Sequence, residues 1–568
     1  MSTYADFYRQ SIDQPDAFWT EQAKLIDWHK PFTRVCNDDH APFVNWFEGG
    51  QTNFCHNAVD RHLATRGDQA ALIYVSSETG IEKTYNFREL HVEVQRMAAS
   101  LKAMGVVQGD RVLIYMPMIA EAAFAMLACA RIGAVHCVVF GGFASGSLAS
   151  RIEDAAPRII ISADAGSRGG KVVAYKPLLD EAIRLSSHKP EAVLLVDRAL
   201  APMTLVHGRD LLWHDLRAKF MLAQVSCEWL DSTAISYTIY TSGATGKPKG
   251  VQRDTGGYAV ALATSMKHIF DGRAGETYFS TSDIGWVVGH SYIVYGPLIA
   301  GMASIMYEGL PTQGMDGQPN GGIWWSLVEK YKVTAMFSAP TAVRVLRKQD
   351  PALLKKYDLS SLRALFLAGE PLDEPTGRWI GEGLNVPIID NYWQTESGWP
   401  IITITNGVEK KASKFGSPGV PMYGYSVKIL HEVTGEELTQ PNEKGVVVIV
   451  GPTPPGFMQT IWQDDALKGQ VAMAFVVPRD SAVLDDAGAS LKLEGDIMKR
   501  VDGDLGAVAR PSRVRFVNAL PKTRSGKLLR RAIQAVCEGR DAGDLTTMDD
   551  PAALQQIRDR VAAGSHPM

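Results

Sequence analysis

The chain has 568 residues, 46% of them apolar and 21% charged, the composition of an ordinary globular protein with room for several domain-sized units. Its 58 Lys and Arg stand against 62 Asp and Glu, a net charge of −4, which argues against a nucleic-acid-binding or strongly membrane-attracted surface and points to small-molecule substrates. Six cysteines (Cys36, Cys55, Cys129, Cys137, Cys227, Cys537) fall in no Cys-x-x-Cys pair, so neither a zinc site nor a disulfide framework is expected, and a reducing cytoplasmic setting is.

Residues 1–24 lack an apolar stretch behind basic residues, so no signal peptide is predicted. Residues 4–23 show helical spacing, with Tyr8 and Trp19 among the aromatics, and 24–53 read as irregular with a turn at Asn37-Asp38-Asp39. From residue 58 strands and helices alternate: a helix opening at Val59-Asp60, a strand over 70–75, a helix over 87–104, a strand over 111–115. Asn86 and Glu89 stand at the two positions of a capping box, and Gly105 stands where a left-handed residue ends a helix. The apolar region 112–140 is broken by Pro117, Glu121, Arg131 and His136, so it reads as strand, helix and strand rather than a membrane span. The pattern continues with strands over 135–140, 159–162, 277–280, 303–307, 333–337 and 365–367, and with a helical segment over 323–332. Such alternation predicts an α/β fold of doubly wound sheets. Residues 423–450 change to short β runs with turns at Thr434-Gly435 and Pro441-Asn442, which suggests a small antiparallel or barrel-like lobe.

Residues 240–250 read Tyr-Thr-Ser-Gly-Ala-Thr-Gly-Lys-Pro-Lys-Gly. Gly243, Gly246 and Gly250 let backbone amides approach an anion, Thr241, Ser242 and Thr245 add hydroxyl donors, and Lys247 and Lys249 add charge. The apolar run 235–240 before it places this loop at the carboxyl end of a buried strand. It is not a Walker-type loop, because two residues rather than four separate the first glycines and Pro248 follows Lys247. Two further segments follow apolar strands: Ala368-Gly369-Glu370-Pro371 after 363–367, and Asp390-Asn391-Tyr392-Trp393-Gln394-Thr395-Glu396 after 386–389.

With these motifs the chain resembles the AMP-forming acyl-CoA synthetases of the adenylate-forming superfamily, and among them the propionyl-CoA synthetases, whose likeness is carried by residues 251–258, Val-Gln-Arg-Asp-Thr-Gly-Gly-Tyr, and 521–527, Pro-Lys-Thr-Arg-Ser-Gly-Lys. Ala244 departs from the family's Ser or Thr and removes one hydroxyl from the loop. The resemblance implies ATP, Mg²⁺ and CoA as reactants. The loop residues Thr241 to Lys249, the turn at Gly369, Glu370 and Pro371, and the segment Asp390 to Thr395 line the nucleotide, with Tyr392 against the adenine and Glu396 on Mg²⁺. Val287, Val288, Ala368 and Trp393 form the acyl pocket, in which Trp393 limits the acid to two or three carbons and Ala368 favours propionate without excluding acetate. Arg168 and Lys171 meet the CoA 3′-phosphate, and Lys527 bridges carboxylate and α-phosphate as a movable charge. His290, close to the pocket residues, reads as structural.

The same resemblance implies an N-terminal cap (1–57), an adenylate-forming core (58–422), a β-rich lobe (423–465) and a truncated α+β C-terminal domain (466–540), and residues 541–568 read as a helical, acidic appendage. In the family, an Asp on the ribose hydroxyls, an Arg-x-Asp-Asp hinge and a Gly-His-Arg segment lie beyond the lobe. Here Ile461-Trp-Gln-Asp-Asp465 runs directly into Ala466-Leu-Lys-Gly-Gln-Val471, an internal deletion near Asp465. The competing expectation is therefore a non-catalytic nucleotide- or acid-binding remnant.

Overall fold

A computed structural model describes residues 3–241, 249–432, 434–462, 473–484, 486–505, 513–522, 528–537, 542, 545 and 548–562. The chain divides into a large unit, residues 1–241 and 249–463, and a small unit to which 464–568 and 242–248 are assigned. The alternation of strand and helix builds two sheets in the large unit. One has eight strands in the spatial order Asp210–Leu212, Ala192–Val196, Ile159–Ala163, Arg111–Met116, Val135–Phe140, Ile235–Thr241, Lys249–Asp254, Thr460–Trp462. Its first six strands are parallel and the last two are added antiparallel. The other has seven strands, Ile388–Asn391, Ala364–Ala368, Val333–Ser338, Thr277–Ser280, Ala303–Glu308, Ala70–Ser76, Glu82–Asn86, parallel except at the last.

Parallel strands buried on both faces carry runs of β-branched and aliphatic residues, and Ile159–Ala163 is buried throughout. Helices Ala120–Arg131 and Gly256–His268 are buried around nearly their whole circumference, as befits helices without a polar face. They share one apolar core with Ile114 of the first sheet and Phe337 and Phe366 of the second. Helix Phe87–Ala103 starts as predicted: the Asn86 side chain accepts from the Glu89 amide at 2.8 Å and Glu89 accepts from the Asn86 amide at 2.9 Å. Gly105 follows with φ +85°.

Three expectations change. Residues 24–53 are not irregular: Arg34–His40 and Phe43–Glu48 pair as a hairpin, and Asn37-Asp38-Asp39 lies inside the first strand, the reversal falling after it. In the β-rich lobe Ser426–Leu430 and Val446–Val450 pair as an antiparallel hairpin, the antiparallel form of the expected lobe. Thr460–Trp462 joins the eight-stranded sheet beside Lys249–Asp254 and so belongs to the core. In the small unit, Met473–Val476 and Arg513–Phe516 pair in parallel, and Val517, Ala532, Ala535, Val536, Met548, Leu554 and Ile557 form a core. Helix Pro551–Ala562, expected as part of an appended tail, buries Leu554 and Ile557 in that core.

Candidate active site

Four neighbouring parallel strands of the seven-stranded sheet end side by side, and their carboxyl ends are where such sheets bind ligands. Thr281 and Ser282 follow one strand; Ser338 and Ala339 end another; Ala368 and Gly369 end a third; Trp393, Gln394 and Thr395 follow the fourth. With Trp286, Val287, Val288, Phe337 and Ala342 they enclose a cavity of about 360 Å³, near the lower end of the roughly 300–1,000 Å³ typical of ligand pockets. The four expected acyl-pocket residues, Val287, Val288, Ala368 and Trp393, thus lie in one cavity, with Gly369, Gln394 and Thr395 of the expected nucleotide segments beside them.

Trp393 is held in place by its neighbours. Its ring lies 5.6 Å from Tyr292 and 6.2 Å from Phe337, centroid to centroid, both at steep angles. Tyr292 is fully buried and donates to Ser265 Oγ at 3.0 Å, so the indole rests on a wall that cannot yield. Gly369 takes φ +101°, and a Cβ there would meet nothing within 4 Å. The glycine answers to backbone conformation, and the turn faces open space. Glu370 is committed to the protein: Arg344 donates to it at 2.8 Å and to Asp373 at 2.8 Å, and Thr341 donates to it as well. Arg344 also donates to the Pro371 carbonyl at 3.3 Å, so the side chain of Glu370 braces the turn, and neither Glu370 nor Pro371 lines the cavity.

The 390–396 segment divides by role. Asp390 accepts from the Asn391 amide, and burial raises its carboxyl above the ordinary value. Asn391 points inward, donating to the carbonyls of Leu367 and Ile389 at 3.0 and 3.1 Å, so it ties two strands together and does not line the cavity. Tyr392 is 46% exposed and presents a free ring face. Glu396 has no side-chain hydrogen bond or ion pair to a described residue, only a backbone carbonyl held by the Met458 amide at 2.8 Å. An uncommitted carboxylate beside a threonine hydroxyl suits a hard divalent cation that keeps phosphate and water ligands.

The expected phosphate loop spans the tip of a hairpin: Thr241 and Lys249 are paired across Ile235–Thr241 and Lys249–Asp254. The loop is followed by a strand, in keeping with Pro248 opposing immediate helix entry. Ser242, Gly243, Thr245, Gly246 and Lys247 lie outside the described residues, as does Lys527. Arg168 and Lys171 face each other as the last pair of the hairpin Ala165–Arg168 and Lys171–Ala174, both exposed and without a salt bridge to a described residue. The turn between them is filled by the protein itself: Glu78 accepts from Ser167 Oγ and the Gly169 and Gly170 amides at 2.6, 2.6 and 2.9 Å.

His290 is structural, as expected. It is wholly buried, its ring 4.5 Å from Tyr237 and 5.2 Å from His136, and burial lowers it to about 4, which keeps it neutral near pH 7. Cys55, Asp60 and Cys227, distant in sequence, bring three metal-type ligand atoms within 4.8 Å of one another. Their charge is met by Arg131, whose Nη1 and Nη2 donate to Asp60 at 2.8 Å each and whose Nη1 lies 3.4 Å from Cys55 Sγ. A metal ion there would face a guanidinium. The six cysteines are all free thiols, and among the described residues no helix is long and apolar enough to cross a membrane.

The sequence model of the AMP-binding enzyme family matches residues 59–462, most of the large unit. The chain belongs to this family. The acetyl-coenzyme A synthetase N-terminus matches residues 4–58 and the AMP-binding enzyme C-terminal domain matches 462–527. The chain is 54% identical to a propionate–CoA ligase of Salmonella typhimurium over 631 aligned positions, covering 98% of this chain and 100% of that protein. It is 53% identical to a propionate–CoA ligase of Escherichia coli, with 98% and 99% covered. It is 38% identical to an acetyl-coenzyme A synthetase of Deinococcus radiodurans, with 98% and 94% covered. An alignment of 631 positions against 568 residues leaves more than sixty positions without a residue in this chain. The two family matches meet at Trp462, beside the deletion expected near Asp465.

Sequence reading had not named Thr281, Trp286, Phe337, Ser338, Ala339 and Ala342 as site residues. The signal was present for three of them: Thr281, Phe337 and Ser338 end or directly follow a predicted strand, and carboxyl ends of neighbouring parallel strands meet.

Proposed function

We propose that the chain activates a short-chain carboxylate, propionate ahead of acetate, as an AMP-forming acid–CoA ligase. The observation that carries this reading is the small cavity across four strand ends, closed by Trp393 and walled by Val287, Val288 and Ala368. The family and the propionate–CoA ligase names of its relatives support the ligase over the remnant.

In the first half-reaction a carboxylate oxygen attacks the α-phosphorus of ATP, the bond to the β-phosphate breaks, and pyrophosphate leaves with its electron pair. In the second, the CoA thiolate attacks the acyl carbonyl of the adenylate, and AMP leaves. The cavity holds the acyl chain; Gly369 and the exposed face of Tyr392 receive the base; the amides, hydroxyls and lysines of 241–249 receive the phosphates. Glu396 would hold Mg²⁺, which neutralises charge on the transferring phosphates when bound. Lys527 supplies charge at the reacting oxygens, and Arg168 and Lys171 receive the CoA 3′-phosphate. The test incubates the chain with propionate, ATP, Mg²⁺ and CoA, with calorimetric titration of ATP and propionate beside it. Propionyl-CoA and AMP in equal amounts are expected, and binding of both ligands without any AMP release would favour the remnant.

Trp393→Gly is expected to move preference toward longer acids. Each added methylene in the opened space is worth about 1–3 kcal/mol, so relative turnover of butyrate and hexanoate against propionate rises roughly tenfold or more. If neither acid gains on propionate, Trp393 does not set the depth of the pocket. Adenylate formation serves as the readout where thioester is too scarce to measure.

A further inference from the structure

Strand Lys249–Asp254 leaves the phosphate loop and carries Arg253 into the interior, where its side chain is 0% exposed. A buried guanidinium is costly unless its charge and its N–H groups are matched. Nη2 donates to the main-chain carbonyl of Thr395. The guanidinium lies over the Tyr258 ring, 5.8 Å from its centroid. Nε and Nη1 have no hydrogen-bond partner. The neighbouring carboxylate does not answer it, because Asp254 accepts from the Gly257 and Tyr258 amides at 3.2 and 2.9 Å.

The segment that Arg253 grips is clamped from other directions too. Gly398 takes φ +76°, and a Cβ there would stand 2.8 Å from Arg253 Nε, so the backbone passes close against the guanidinium. The Gly398 carbonyl accepts from Ser291 Oγ at 2.8 Å, Ser291 is bonded to the Tyr258 hydroxyl at 2.6 Å, and the Met458 amide donates to the Glu396 carbonyl at 2.8 Å. Most of these fixings are neutral; Arg253 brings a charge. Its cation sits one residue contact behind Thr395, which lines the cavity.

We propose that Arg253 is a positioning residue for the nucleotide: it locks the Thr395–Glu396 corner to strand Lys249–Asp254 and sets a fixed positive charge directly behind that corner. The inference rests on the reading that the loop and residues 390–396 hold ATP. A buried charge acts on anionic ligands in proportion to their phosphates and hardly at all on a neutral nucleoside. A purely structural residue would change all of them alike.

The test is calorimetric titration of the full chain with adenosine, AMP and ATP in the presence of Mg²⁺, repeated on Arg253→Gln and Arg253→Lys. Gln keeps a donor for the Thr395 carbonyl and removes the charge; it is expected to weaken ATP about tenfold, AMP about threefold and adenosine less than twofold. Lys keeps the charge and is expected to preserve the ratio of ATP to adenosine affinity within about threefold. Equal losses for the three ligands in Arg253→Gln, an unchanged ATP affinity, or loss of the ratio in Arg253→Lys would overturn the proposal. A failure of the underlying reading looks different: the unaltered chain would then bind ATP no more tightly than adenosine, and the proposal would fall with it.

Discussion

Refilling the gap near Asp465 with the corresponding segment of a close relative is expected to raise kcat/KM for propionyl-CoA formation by a hundredfold or more. More than sixty positions of the Salmonella relative have no residue in this chain. The resemblance places there the Asp that holds the ribose and the hinge about which the small domain turns between half-reactions. Losing a charged hydrogen bond to the ribose costs about 2–3 kcal/mol, which is roughly a hundredfold in ATP affinity. Losing the hinge removes a rigid-body motion that few other arrangements replace. The remaining small unit keeps a paired sheet and a packed core. The strands Met473–Val476 and Arg513–Phe516 pair, and Val517, Ala535, Leu554 and Ile557 pack into a core. The measurement is steady-state propionyl-CoA formation by the chain and by its refilled form. Similar kcat/KM in the two would show that the segment is dispensable.

The order of strands and helices was legible because the central parallel strands, such as Ile159–Ala163 and Ala364–Ala368, are short apolar runs and some helices between them are clearly punctuated. Asn86, Glu89 and Gly105 mark one helix completely. The hairpin of Arg34–His40 and Phe43–Glu48 was not legible, since Asn37, Asp38 and Asp39 carry turn propensity and lie mostly exposed in an extended strand whose pairing is set by its partner. The C-terminal edge of the lobe was not legible for a related reason: Thr460–Trp462 looks like any short β run, and only pairing with Lys249–Asp254 assigns it to the core sheet. In the site, motif residues at strand ends were readable, while residues whose role depends on a distant partner were not. Arg344 bracing Glu370, Glu78 filling the Gly169-Gly170 turn and Arg253 gripping Thr395 join segments far apart in sequence, and no local pattern records such a contact. Asn391 shows the converse, a motif residue whose side chain is spent on holding strands together.

Lys527→Ala is expected to reduce adenylate formation by about a hundred- to a thousandfold, the range seen when a preorganised group that stabilises transition-state charge is removed. Carboxylate and triphosphate repel each other as they approach, and the repulsion is greatest in the transition state, where negative charge is shared among the attacking, bridging and leaving oxygens. A lysine on a flexible stem can meet that charge when it develops and contributes little before. The loss should therefore fall on kcat, with ATP affinity within a few-fold of the unaltered chain, because the substitution leaves the cavity, the Gly369 turn and the 390–396 segment of the large unit untouched. Pyrophosphate release in single turnover with propionate, ATP and Mg²⁺ reads the first half-reaction alone, before CoA or the missing hinge can limit the rate. A rate of pyrophosphate release equal to that of the unaltered chain would remove Lys527 from the chemistry, whereas a fall in ATP affinity as large as the fall in rate would make it a binding residue instead.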